Sequence, residues 1–154
     1  MDNKEKFNKP ALSPELYGLP SVIIEIQPQR IKPNGTFKSE NLIIKNENNE
    51  EIGTAILNIF YPPNREHYAY LNTIKIKEEL RGKGYGKATY LELIKKLADV
   101  KLKSGFQLSR GSSKVWEWLC QNGLAVKTSD GKTDENKLNA GYSSAEYEAI
   151  KYIG

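Results

Sequence analysis

The stretch Leu80–Leu97, LRGKGYGKATYLELIKKL, decides how the rest of the chain is read. Three glycines, Gly82, Gly84 and Gly86, stand on alternate positions beside Arg81, Lys83 and Lys87, and an amphipathic pattern begins directly behind them. Ala88, Leu91, Ile94, Leu97 and Ala98 recur at three- and four-residue spacing while Lys87, Glu92, Lys95, Lys96 and Lys103 fill the other faces, which predicts a helix of about five turns from Gly84 to near Gly105. The first turn of such a helix exposes N–H groups without intrahelical partners and carries a partial positive charge. Alternate glycines strip side chains from the approach and the flanking cations add their charge. The loop therefore reads as a cradle in which the amides around Gly84 to Lys87 hold a phosphate or pyrophosphate.

Upstream of this loop the chain reads as strands. SVIIEIQP, with Val22, Ile23, Ile24 and Ile26 ended by Pro28, is a strand signal. NLIIKN, the polar turn ENNEE and GTAILNIFYPP form a hairpin whose second strand runs from Gly53 to Tyr61, and YAYLNTIKIK supplies a fourth strand. Downstream, FQLSR is expected as a short fifth strand. SSKVWEWLCQNG is a second helix with Ser112 as N-cap and Gly123 as its stop, LAVKT is a sixth strand, and YSSAEYEAIKYI is either a strand or a short helix. Residues 1–20, with Pro10 and Pro20 and no periodicity, read as an N-terminal arm. The order is an antiparallel meander followed by β-α-β-α-β, so the fold class is α/β: a mixed sheet with a parallel element around the long helix.

Composition sets the class. At 154 residues the chain has room for one core, and a mean hydropathy of −0.61 with 27% charged residues describes a globular domain. The opening MDNKEKFNKP is charged where a secretory leader is apolar, and no run approaches the roughly 18 apolar residues of a membrane span, so a cytoplasmic protein is expected. One cysteine, Cys120, and one histidine, His67, rule out a disulfide and the usual structural zinc sites, so no metal is expected. A net charge of +4 suits an anionic ligand or a nucleic acid.

Two nucleotide loops fail on spacing. A Walker loop needs Ser or Thr where Ala88 stands, and a dinucleotide fingerprint needs Gly-x-Gly-x-x-Gly after the first strand of a parallel sheet. Arg81-Gly82-Lys83-Gly84-Tyr85-Gly86 instead resembles the signature of the GNAT superfamily of N-acetyltransferases: Arg or Gln, two residues, Gly, one residue, Gly or Ala, at the turn from the fourth strand into a long helix. Strand order, long helix and the segment VWEWLCQNGLA extend the similarity from Val22 to Val126 and make 21–154 one acetyltransferase-like domain. The resemblance implies acetyl-CoA as co-substrate, with its pyrophosphate on the loop Arg81, Gly82, Lys83, Gly84, Tyr85, Gly86, Lys87. It also implies a pantetheine arm along Ile74, Lys75 and Ile76, and the backbone amide of Ile76 polarising the acetyl carbonyl. Such a preorganised donor stabilises the oxyanion that forms when an amine attacks the thioester.

The chain departs from the family pattern in three places. Asn72-Thr73 stands where many members carry a carboxylate, leaving Asn72 as a water-holding candidate. The second helix offers Trp116, Trp118 and Leu119 where the family often places a thiol-protonating tyrosine, so Tyr85, Tyr142 and Tyr147 are the alternatives. A short connection, QRIKPNGTFKSE, replaces the helices that usually wall the acceptor site, which suits a bulky or protein acceptor, or completion by a second copy of the chain in a homodimer. His67 and Glu66, before the fourth strand, are further candidates for a base. The partner expected is therefore an amine, small molecule or protein. Two other readings stand beside it: an acyl-CoA-binding module without turnover, and a basic nucleic-acid-binding domain, which Glu78 and Glu79 beside Arg81 disfavour.

Overall fold

β-Branched residues alternating with polar ones draw β1 (Val22–Gln27), β2 (Phe37–Asn46), β3 (Glu51–Phe60) and β4 (Tyr68–Ile76) into an antiparallel meander. The structure, a computed structural model, describes residues 12–27, 36–97, 99–105, 110–129 and 145–150. Among the described residues seven strands form one sheet in the order β1-β2-β3-β4-β5-β7-β6, with β5 at Lys101–Lys103, β6 at Ala125–Ser129 and β7 at Glu146–Ala149. β4 and β5 are parallel and the remaining pairs antiparallel, so the sheet is mixed, as the sequence implies.

Among the described residues the two α-helices are α1 (Tyr85–Lys96) and α2 (Arg110–Gln121). Helix α1 is shorter than its periodicity predicts, 12 residues or about three turns. Leu97 leaves the helical region at φ −89° and ψ 54°, and Lys-Leu-Lys becomes β5 because pairing with β4 buries Leu102 to 1% exposure while both lysines face outward. The predicted fifth strand FQLSR is thereby displaced. Residues 106–109 lie outside the described residues, and Arg110 already opens α2, so Ser112 sits in the first turn of that helix and is not its N-cap. Gly123 ends α2 as expected: at φ +71° its N–H donates to the Cys120 carbonyl and that of Leu124 to the Leu119 carbonyl. The Ala145–Ile150 segment resolves as a strand. Residues 130–144, with Tyr142, lie outside the described residues.

Among the described residues the buried strand side chains belong to one face. Leu42, Ile44, Leu57, Ala69, Leu102 and Tyr147 meet Leu91, Leu93, Trp116 and Leu119 in a single cluster, so both helices lie on that face. Trp116 is the keystone, stacked on Tyr147 at 6.0 Å between centroids and edge-on to Tyr90 at 5.6 Å. Trp118, two positions on, is half-buried against Tyr17. The opposite face carries no helix among the described residues; Phe37, Phe60, Tyr68 and Tyr70 form an aromatic row there. Cys120 is half-buried, and burial raises its thiol pKa.

Candidate functional site

Among the described residues, strand β4 is paired on both sides only over its first three residues. Tyr68, Ala69 and Tyr70 meet Lys101, Leu102 and Lys103, after which β5 turns toward β7 through Ser104, whose N–H donates to the Tyr147 carbonyl at 2.9 Å. Beyond Tyr70 no described residue pairs with this edge of β4. A β-bulge falls in the same half: Thr54 faces Lys75 but Ile56 faces Asn72, so β4 carries one residue more than β3. Thr73 sits at φ +47°, a left-handed conformation that a β-branched residue rarely adopts. The extra residue resets the alternation, turning Ile74 and Ile76 toward the helices and leaving Asn72 and Lys75 on the far face.

Ile76 faces Gly53, and the ladder bond beside that pair runs from the Lys77 N–H to the Ile52 carbonyl at 2.9 Å. The pair is thus a non-hydrogen-bonded one, and the N–H and carbonyl of Ile76 point away from β3 into the split. Arg81 Nε donates to that carbonyl at 3.1 Å, tying the glycine loop to the strand end. A cleft of about 230 Å³ opens here, walled by Ile74, Ile76 and Leu80 on one side and by Tyr85, Tyr90, Ser112 and Val115 on the other.

The loop forms the mouth of this cleft. Gly82 at φ +76° and Gly84 at φ +92° alternate with Lys83, and Gly84 caps α1. From Gly82 through Lys87 the backbone N–H groups donate to no acceptor among the described residues, whereas Ala88 N–H closes the first helical bond to the Gly84 carbonyl at 3.0 Å. A run of unpaired amides with a helix dipole behind it is an anion site. The glycines serve different ends, which sequence reasoning merged. A Cβ at Gly82 meets nothing within 4 Å, while one at Gly84 meets Leu19 Cδ2 at 2.8 Å, so Gly84 is glycine for its φ and for the packing of the Leu19–Pro20 segment. Lys87 is also turned aside: its ammonium lies 5.1 Å above the Trp118 ring. Lys83 and Arg81 are exposed.

The remaining candidates do not gather at the cleft. His67 packs edge-on to Tyr61 at 5.0 Å, and Glu66 pairs with Lys101 at 3.4 Å. Tyr68 faces Phe60 and Ile76 faces Gly53, seven residues apart on β3, so these two groups lie roughly 24 Å from Ile76. Asn72, opposite Ile56, is about 10 Å from Ile76 on the helix-free face. No group of His, Cys, Asp and Glu among the described residues could hold a metal, and no helix there is long and apolar enough to cross a membrane. Sequence reasoning missed Tyr90. It stands one turn beyond Gly86 on the same side of α1, its hydroxyl hydrogen-bonded to Ser112 and Trp116, and burial raises its pKa. The spacing of four from Gly86 was the available signal.

Comparisons with known proteins bear on the family and the fold. The sequence matches the profile of the acetyltransferase (GNAT) family over residues 14–111. No protein of curated function matches the chain in sequence. Among solved structures, the fold is similar to that of spermidine N-acetyltransferase from Vibrio cholerae in complex with CoA and spermine, at 13% identity over 75% of this chain and 69% of that one, with a TM-score of 0.50. A chimera of the Vibrio cholerae enzyme and hSSAT gives 15% identity, coverages of 73% and 67%, and a TM-score of 0.51. A protein proposed as a phosphinothricin N-acetyltransferase gives 16% identity, coverages of 83% and 97%, and a TM-score of 0.50. These likenesses concern the fold, whereas the profile spans well over half of the sequence: the chain belongs to the GNAT acetyltransferase family.

Proposed function

We propose that the chain is an acetyl-CoA-dependent N-acetyltransferase that passes the acetyl group directly to a primary amine. The observation that carries this reading is the run of unpaired amides from Gly82 to Lys87 at the mouth of the cleft that the Ile76 N–H edges. These groups fit acetyl-CoA: the loop amides, with Arg81 and Lys83, would hold its pyrophosphate, and the open edge at Ile74–Ile76 would pair with its pantetheine arm. Acetyl-CoA supplies an activated thioester carbonyl. The Ile76 N–H is the donor for the oxyanion that develops on that carbonyl, fixed in place by the bulge and by the Arg81 tie, so little reorganisation is needed in the transition state. Asn72, on the other face of β4, would orient the amine or a water that takes its proton. A CoA-bound neighbour of the same fold adds support by analogy.

A second reading, a module that holds acyl-CoA without turnover, draws on the wall of the cleft. Arg81, Tyr85 and Tyr90 are its titratable groups among the described residues, and none of them is a carboxylate or an imidazole. One experiment separates the readings. Calorimetric titration with acetyl-CoA should give micromolar binding to the wild type, weakened about a hundredfold, roughly 2.7 kcal/mol, in Gly82→Glu. Both glycines have a positive φ that strains a side chain, and Gly82 is chosen because its Cβ direction is open, whereas a side chain at Gly84 would also displace Leu19. Amine-dependent release of free CoA thiol, reduced in Asn72→Ala with acetyl-CoA binding intact, identifies the enzyme. Binding without release identifies the module, and a folded wild type that binds no acetyl-CoA refutes both.

A further inference from the structure

We propose that a second concavity, on the helix-free face at the head of the β4/β5 split, binds the distal cationic group of a long diamine acceptor, with Glu146 as its counter-charge. The proposal rests on the acetyltransferase reading above and names the substrate class for it.

The cavity measures about 200 Å³ and is walled by Tyr70, Lys103, Gly105, Glu146 and Glu148. Tyr70 and Lys103 are the last paired residues of β4 and β5, so this cavity and the cleft at Ile76 flank the same opening from the two faces of the sheet. An acceptor anchored here can extend along β4, past Asn72, to the split where Ile76 turns its N–H.

The charges sort clearly. Lys101 is held by Glu66 at 3.4 Å and by Glu148 at 3.3 Å, and although burial works to lower its pKa, these two carboxylates outweigh that and keep its ammonium charged. Glu146 has no ion-pair partner among the described residues; burial raises the Tyr70 pKa, and Tyr68 and then Glu146 beside it raise it further. In a chain of net charge +4, this patch sets three carboxylates, Glu66, Glu146 and Glu148, against two ammonium groups, Lys101 and Lys103. The aromatic floor already accommodates a cation: Lys103 Nζ lies 4.8 Å above the Tyr68 ring. An acceptor ammonium beside Tyr70 would gain the same ring contact and a carboxylate that no described cation pairs with.

Length follows from register. Tyr70 faces Asn58 and Ile76 faces Gly53, five residues apart on β3, which is roughly 17 Å along the strand. Side chains reaching inward from both ends shorten that span, so the two nitrogens must be separated by a long spacer. A short diamine engages one end only.

The test is titration of the wild type, Glu146→Gln and Lys103→Met with decamethylenediamine, ethylenediamine and decylamine, followed by calorimetry and by initial rates with acetyl-CoA. The wild type should prefer the long diamine to the other two. Glu146→Gln should weaken the long diamine about tenfold and leave decylamine and acetyl-CoA unchanged, as loss of one partly exposed charge contact predicts. Lys103→Met, which removes a competing cation, should tighten it severalfold. Reversed signs in the two variants would assign the cavity to an anionic acceptor group, and equal effects on diamine and monoamine would show no distal site. Either result overturns the proposal. Calorimetry with the diamine alone does not need turnover, so a protein that binds no acetyl-CoA would refute the acetyltransferase reading while this result still decides the cavity.

Discussion

The two halves of β4 differ although they are one strand. Over Tyr68–Tyr70 both edges are hydrogen-bonded, Ala69 is fully buried beside Leu102 and opposite Ile59, and aromatic rings cover the outer face. Over Asn72–Ile76 one edge is open, Thr73 is strained, and the N–H and carbonyl of Ile76 face a cleft. The first half contributes a closed ladder and a packed face, which is stability. The second leaves backbone donors unpaired, which costs stability and creates a binding edge. A β-bulge joins the two regimes and sets which side chains face which way in the second.

The bulge is therefore the place to break the contrast. Inserting one residue into β3 between Ala55 and Ile56 would oppose the extra residue of β4, carry the register of the first half through and rotate Ile74 and Ile76 onto the helix-free face. That exposes two apolar side chains, removes a wall of the cleft and turns the Ile76 N–H toward β3. Acetyl-CoA binding should vanish in calorimetry, and stability should fall by about 3 kcal/mol in urea unfolding, from the burial lost by two isoleucines. Retained binding would show that the open edge does not depend on the bulge.

A change in the paired half should do the opposite. Ala69 lies at 0% exposure between neighbouring strands, and Ala69→Leu adds volume to a filled site. Overpacking predicts a loss of about 1–3 kcal/mol, seen as a lower Tm, with the acetyl-CoA affinity of the folded fraction unchanged. A fall in affinity with stability preserved would erase the division of labour between the halves.

The paired half was legible in the sequence and the open half only partly. Alternation in SVIIEIQP and YAYLNTIKIK locates β1 and β4 because a one-sided core imposes period two. The glycine loop was legible because left-handed φ and unpaired amides favour one residue type. What could not be read depends on partners distant in sequence. Lys101–Lys103 continues a helical pattern, and only pairing with Tyr68–Tyr70 makes it a strand. Leu19 over Gly84 is a contact across 65 positions, so a packing glycine looks like a binding glycine. Glu146 meets Tyr70 through β5 and β7, and no local pattern marks that meeting.

The smallest expected effect bears on the bulge itself. For a side chain other than glycine the left-handed conformation costs about 1–2 kcal/mol, and Thr73 is exposed, so its side chain offsets little of that by packing. Thr73→Gly removes this strain but also frees the unfolded chain, and the two terms oppose each other. The net expectation is a gain of about 0.5 kcal/mol in urea unfolding, with the register of Ile74 and Ile76 kept. If strain at Thr73 also holds the Ile76 N–H in its line of fire, the same variant should lower the rate of acetyl transfer more than it weakens acetyl-CoA binding. Stabilisation with an unchanged rate would make the strain a by-product of the register shift, and the bulge would then matter only for which faces Ile74 and Ile76 present.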